Sequence, residues 1–310
     1  MSNSTSNSTT SDEDLNIYFY DPSTPAAVVF SVLYAILTLW HAYINFIFGR
    51  SVVHKHKYTI PLFVACVIST AGWVIRIVSV NNTSSIPLYA TSASYIVISP
   101  IFVCATLYLL VTRLIRTTLP EDDKQQVFLG VRPRWLGRLF ITSDISSFLT
   151  QGAGSGIASS GNWEGNLKTV GTNVLLVGLS LQLATFTVFL VVLGTFQRRV
   201  RRSKDVDMSS NVNRVLKGVW IAGFFVQVRS IYRVVEFAMG VNGYLFKHEW
   251  CLYVFEAAPM FIALSVLAWC HPVKWMQDKS APEFAMQDNV ANTKKRSKFR
   301  IKGPSKGNAV

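Results

Sequence analysis

Charge is scarce in this 310-residue chain, at 15% of residues against about 25% in ordinary soluble domains. Acids are scarcer than bases, 17 Asp and Glu against 30 Lys and Arg, and both kinds are confined to short intervals. Between them run apolar stretches of about 20 residues, the length that crosses a bilayer core as a helix. No interval between these stretches can hold a soluble catalytic domain, which excludes kinases and large cytoplasmic enzymes. The chain has no G-x-x-x-x-G-K-[ST] loop and therefore no ATPase motor of that type. Cysteine is limited to four: Cys66, Cys104 and Cys270 fall in apolar stretches, where a thiol acts as a small apolar group, and Cys251 stands alone. No intrachain disulfide is expected, and the last apolar stretch has no lysine for a retinal Schiff base. Of five histidines only His41 lies clearly inside an apolar stretch, so the converging ligands of a membrane zinc hydrolase are missing. The sequence implies no catalytic residue, no metal and no cofactor.

What is there is an all-α pattern. Seven predicted spans cover 26–48, 60–80, 92–115, 136–158, 170–196, 215–238 and 250–270, a polytopic seven-transmembrane-helix bundle. The net charge of +13 is not a nucleic-acid signature, because its placement follows the membrane. Of the Lys and Arg residues, 25 fall on one side, two (Lys168 and Lys247) on the other, and three inside spans. Basic residues mark the cytoplasmic side, which puts the N-terminus outside and the C-terminus inside. The N-x-[ST] triplets at Asn3, Asn7, Asn81 and Asn82 all fall on the predicted outside, as glycosylation acceptors must.

Three regions follow. Residues 1–25 are rich in Ser, Thr, Asn and acid and are expected to be a disordered extracellular tail without a cleavable signal peptide. Residues 26–270 form the membrane domain. Residues 271–310 form a basic cytoplasmic tail whose run Lys294-Lys295-Arg296-Ser297-Lys298-Phe299-Arg300-Ile301-Lys302 has the charge to hold anionic inner-leaflet lipid, or to serve as a trafficking address.

Polar residues inside the spans carry the functional signal. In span four, Asp144, Ser147, Gln151 and Ser155 recur at helical spacing and form one polar stripe, and Gly152, Gly154 and Gly156 permit close approach of another backbone. In span six, Arg229, Arg233 and Glu236 share one face. Arg76 in span two and Glu256 in span seven bring the inventory to three cations and three acids, and such groups in a membrane must neutralise one another. These eight residues, Asp144, Ser147, Gln151, Arg76, Arg229, Arg233, Glu236 and Glu256, are expected to line one chamber opening toward the outer leaflet; the alternative is an ion-pair network that only joins helices. Pro100 and Pro259 each remove a backbone donor within a span and are candidate hinges. Tryptophans near span ends read as the ordinary interfacial belt.

Several stretches, taken in order, carry a resemblance. They are Ser99-Pro100-Ile101-Phe102-Val103-Cys104-Ala105-Thr106-Leu107-Tyr108, Asp144 through Gln151-Gly152, Gly178-Leu179 with Gln182, Arg229-Ser230-Ile231-Tyr232-Arg233-Val234-Val235-Glu236-Phe237, and His248-Glu249 to Pro259. Over residues 18 to 272 the chain resembles the RTA-like family of fungal seven-span membrane proteins, the lipid-translocating exporters named for resistance to aminocholesterol. It departs from the family at span two, where Glu-x-x-Gly-Tyr-x-x-Arg becomes Ser69-Thr70-Ala71-Gly72-Trp73-Val74-Ile75-Arg76, so Arg76 is expected to pair elsewhere, with Glu236 or Asp144. Glu256 stands where the family often has Asp. The resemblance implies a plasma-membrane or endomembrane protein, not an enzyme, whose partners are membrane lipids and whose substrates are amphipathic: sphingoid long-chain bases, cationic sterol-like compounds or, for some members, tetrapyrroles. A seven-helix lipid sensor that signals without transporting fits the same topology, and an assembly factor fits it less well.

Overall fold

A computed structural model describes residues 22–47, 60–83, 85–118, 133–160, 165–202, 210–240 and 243–270. These residues contain helices and no strand. Helix α1 runs Thr24–Ala42 and continues through a wider π-type turn, Tyr43–Ile47. It starts at Ser23, whose hydroxyl accepts from the Ala26 amide at 3.4 Å, with Pro25 in the first turn where a missing N–H is harmless. Then come α2 (Ile60–Asn81), α3 (Ile86–Thr118), α4 (Pro133–Ser160), α5 (Gly165–Arg202) and α6 (Ser210–Met239). A single turn, α7 (Tyr244–Lys247), leads to α8 (Glu249–Trp269).

Each predicted span lies within or along one long helix, but several helices run well beyond the predicted ends. At 1.5 Å per residue, the 38 residues of α5 extend about 57 Å, nearly twice the roughly 30 Å apolar core of a bilayer. The excess is explained by backbone hydrogen bonding, which continues into the polar layers after apolar composition has ended. Five helices (α1, α2, α3, α5 and α8) are long and apolar enough to cross a membrane. Together they make the chain an all-α polytopic membrane protein. The two long helices outside that set are α4, with its polar stripe, and α6, which carries Arg229, Arg233 and Glu236 within eight residues.

Neighbours in sequence are neighbours in space. Contact passes from α1 to α2, α3, α4, α5 and α6, then to α8, which returns to α1. Helix α3 also touches α5 and α6, so its buried face, with Val103, Cys104, Leu107, Tyr108 and Val111, is packed from several sides. Large apolar side chains such as Leu39, Leu149, Val177 and Phe224 point outward, as lipid-facing surface requires.

The closest approach is between α4 and α5. A Cβ placed on Gly154 would stand 2.5 Å from the Leu175 amide nitrogen and 2.6 Å from the Gly171 carbonyl oxygen. One placed on Gly171 would stand 2.5 Å from the Ala158 nitrogen. This is small-residue helix packing, in which dispersion between backbones replaces side-chain interdigitation. Of Gly152, Gly154 and Gly156, only Gly154 serves this purpose; Gly152 and Gly156 have nothing within 4 Å. The buried face of α4 is Phe140, Asp144, Ser147, Gln151, Gly154 and Ala158, alternating steps of four and three, so it bypasses Ser155, which is half-buried.

Pro100 lies inside an uninterrupted α3. Pro259 lies two residues past the end of a π-type turn, Tyr253–Ala257, where the Ala258 amide reaches back to the Tyr253 carbonyl. All four cysteines are free. The sequence-based tail assignments at Asn3, Asn7 and Lys294–Lys302 lie outside the described residues.

Candidate functional site

The five-residue π-type turn of α8, Tyr253–Ala257, carries Glu256 and packs against α6. Arg229 donates through Nη2 to Glu256 Oε1 at 2.8 Å. Arg233 donates through Nη1 to Glu236 Oε2 at 2.8 Å and, more distantly at 3.4 Å, to Glu256 Oε2. The Tyr232 hydroxyl donates to the other Glu236 oxygen at 2.9 Å. The order Arg229, Glu256, Arg233, Glu236 alternates in sign, so each charge touches only opposite charge. Arg229, Glu256 and Glu236 are all buried, a position tolerable for an ion only with such partners. The three α6 residues meet because i, i+4 and i+7 share a helix face; Glu256 joins them through packing of α8 on α6.

Arg76 is elsewhere. It pairs with neither Glu236 nor Asp144 but with Glu249 Oε1, at 3.0 Å. Its guanidinium also lies 5.9 Å from the Trp73 ring centroid and 5.8 Å from that of Tyr253, close enough for cation–π attraction. Glu249 in turn accepts from the Tyr253 hydroxyl at 3.1 Å and from the Ser23 amide at 2.6 Å. One carboxylate therefore ties the start of α1, the end of α2 and the start of α8. Phe30 stacks on Trp73 and Tyr253 beneath it, with centroids 5.4 and 5.2 Å apart. Glu249 was missing from the sequence-based inventory, although it lies seven residues before Glu256 and so on the same face of α8.

The polar stripe of α4 faces α3 and α5. Asp144 accepts from the Tyr108 hydroxyl at 2.9 Å, and Gln151 donates to the Gln182 side-chain oxygen at 3.1 Å. Ser147 is fully buried, and its hydroxyl has no hydrogen-bond partner. Around Asp144 lies an aromatic cluster in which Tyr108 meets Phe189 edge-on, with centroids 4.7 Å apart, and Phe140 at 5.2 Å. The expected eight residues thus form three groups: Arg229, Arg233, Glu236 and Glu256; Arg76 with Glu249; and Asp144, Ser147 and Gln151. Counting Glu249, the balance is three cations against four acids rather than three against three.

A small cavity opens where α1, α2, α3, α6 and α8 converge. Tyr34, Ser69, Trp73, Ser99, Arg229 and Glu256 are among the residues lining it, together with Pro100. It has about 10 Å³ of room for the centre of a water molecule, enough for about one water. Ser69, at the departure from the family pattern, hydrogen-bonds Ser99 here. Among the described residues no three His, Cys, Asp or Glu side chains converge as a metal site would need.

The sequence pattern of the family described as "RTA1 like protein" matches residues 62–279, most of the chain. The chain belongs to this family. Its relatives include Protein RTM1 of Saccharomyces cerevisiae, 32% identical over 214 residues, covering 67% of this chain and 65% of that protein. Protoporphyrin uptake protein 1 of the same species is 27% identical over 286 residues, covering 82% of this chain and 91% of the relative. Sphingoid long-chain base transporter RSB1 of S. cerevisiae is 22% identical, covering 76% and 69%. The chain therefore spans just under two-thirds of the first of these relatives. No solved structure matches the chain significantly.

Proposed function

We propose that this RTA1-like protein is a membrane transporter that moves or releases amphipathic lipids, among them sphingoid long-chain bases and cationic sterol-like compounds, and so contributes to tolerance of toxic amphiphiles. The reading includes seven spans, with α4 and α6 as the two polar ones, the N-terminus outside and the C-terminus cytoplasmic. The observation that carries it is the buried alternating cluster of Arg229, Glu256, Arg233 and Glu236 bordering the cavity at the convergence of five helices. An amphiphile's ammonium group seeks a carboxylate out of water, and Glu256, shared between two arginines, offers one that can exchange partners. With room for about one water, the cavity is the closed form of the site, and separation of α8 from α6 opens it to a headgroup.

The names of two relatives, one a sphingoid long-chain base transporter and one a protoporphyrin uptake protein, support transport of large amphiphiles. Pro259, beside the π-type turn of α8, is the hinge we favour for that opening over Pro100. The polar face of α4, with Asp144, Ser147 and Gln151, forms the second element of the path, and Arg76 with Glu249 closes its end near α1. Asn81 and Asn82 are both exposed, and in this orientation they lie outside, where glycosylation would reach them. We place the protein in the plasma membrane or a vacuolar or other endomembrane, with the basic tail on anionic lipid.

Reconstitution tests the reading. Purified protein in vesicles is expected to move a fluorescent sphingoid base between leaflets, and Glu256→Gln is expected to abolish movement while leaving folded protein in the membrane. Saturable binding without movement would replace the transporter by a lipid sensor. Loss of movement only in proportion to loss of folded protein would reduce the ion cluster to a structural role.

A further inference from the structure

Charge accounting isolates one residue. Among the described buried charges, Arg229, Arg233, Glu236 and Glu256 neutralise one another, and Arg76 neutralises Glu249. Asp144 is left over. It is 1% exposed, it forms no ion pair with any described residue, and it accepts a hydrogen bond from the Tyr108 hydroxyl at Oδ2. Its Oδ1 is buried with no hydrogen-bond partner among the described residues. The groups facing it do not supply a positive charge. Helix α3 brings the Tyr108 hydroxyl and the Cys104 thiol, and α5 brings the Thr185 hydroxyl and, one turn away, Gln182. On α4 itself the buried neighbours are Phe140 and Ser147. Arg229 of α6 is committed to Glu256. An isolated carboxylate in such surroundings is strongly disfavoured relative to its neutral acid.

We propose that Asp144 is a proton-binding site of the transport path, holding a neutral carboxyl in this closed conformation and releasing the proton when α3, α4 and α5 separate enough to admit water. The proposal rests on the transport reading above and adds to it a coupling ion. The step is a simple proton exchange. The hydrogen sits on Oδ1, which has no hydrogen-bond partner among the described residues, and Tyr108 keeps its donation to Oδ2. On opening, the proton passes to water and leaves a carboxylate that water can solvate. The α4–α5 seam at Gly154 and Gly171 supplies a close contact about which the two helices can part.

The test is infrared spectroscopy of the full-length protein in phosphatidylcholine vesicles, which needs no substrate. At neutral pH the wild type is expected to show the C=O stretch of a protonated carboxylic acid, absent from Asp144→Asn. Tyr108→Phe keeps the acid but removes its hydrogen bond, and is expected to shift that band. A spectrum in which Asp144→Asn removes carboxylate bands instead overturns the proposal. So does a protonated-acid band that Tyr108→Phe leaves unmoved, which serves if Asp144→Asn does not fold. A second measurement addresses coupling: an imposed pH gradient is expected to change the initial rate of fluorescent sphingoid-base movement several-fold in the wild type, with the ratio falling to one in Asp144→Asn. A wild-type rate indifferent to the gradient overturns the coupling. A protein that shows the Asp144 band yet moves no probe retains the proton site and refutes the transport reading instead.

Discussion

Replacing Gly154 with alanine adds one methyl group where α4 and α5 meet backbone to backbone. The new Cβ would stand 2.5 Å from the Leu175 nitrogen, 2.6 Å from the Gly171 oxygen and 2.9 Å from the Leu175 Cα. All three are backbone atoms, so no rotamer change relieves the overlap. Ordinary carbon contacts lie near 3.5–4.0 Å, so α4 and α5 must part by about 1 Å along much of their shared length. Overpacking of this kind costs about 1–3 kcal/mol. The intrinsic preference of a helix for alanine over glycine, about 1 kcal/mol, works in the opposite direction. Gly152→Ala isolates that second effect, because nothing lies within 4 Å of its Cβ. The two variants, identical in chemistry and two residues apart, are therefore expected to differ in stability by about 1–3 kcal/mol, with Gly154→Ala below the wild type and Gly152→Ala at or above it. Thermal unfolding in detergent, followed by the fraction remaining monodisperse on size exclusion, measures the difference. Equal midpoints for the two variants would refute the assignment of Gly154 to the helix seam.

Three further expectations follow from the geometry. Glu249→Gln removes the carboxylate that Arg76 meets at 3.0 Å and is expected to destabilise the protein by about 3–5 kcal/mol, whereas Arg76→Met combined with Glu249→Met recovers much of that loss; a double variant no more stable than Glu249→Gln contradicts the pairing. In sealed right-side-out vesicles, a glycosidase is expected to reach sugar on Asn81 or Asn82 while protease leaves the chain after Cys270 intact, and digestion of that tail reverses the orientation. A peptide of residues 271–310 is expected to bind phosphatidylserine vesicles and to leave them as salt rises, an effect lost when the bases between Lys294 and Lys302 are replaced; salt-insensitive binding favours an address read by a protein.

Much of the architecture was legible in the residue order. Long apolar stretches must become helices in a bilayer because no water satisfies the backbone there, and this forced the all-α polytopic class. The shared face of Arg229, Arg233 and Glu236, and that of Asp144, Ser147 and Gln151, followed from the period of a helix, which needs no tertiary information. Periodicity also fixed which residues of α4 sit together; only at its far end did the face drift from Ser155 to Gly154, as a 3.6-residue turn makes it do.

Partner choice was decided by the packing of the helices. Arg76 was expected to pair with Glu236 or Asp144 and pairs instead with Glu249, because the start of α8 lies level with the end of α2 and beside Trp73 and Tyr253. Gly152, Gly154 and Gly156 are alike as residues, yet only Gly154 faces α5. The isolation of Asp144 emerged only once every other buried charge had found its counterpart. Local sequence determines the face a side chain occupies on its own helix. Which atom meets it depends on the rotation and height of a second helix, set by contacts hundreds of residues apart, and that is a property of the folded bundle alone.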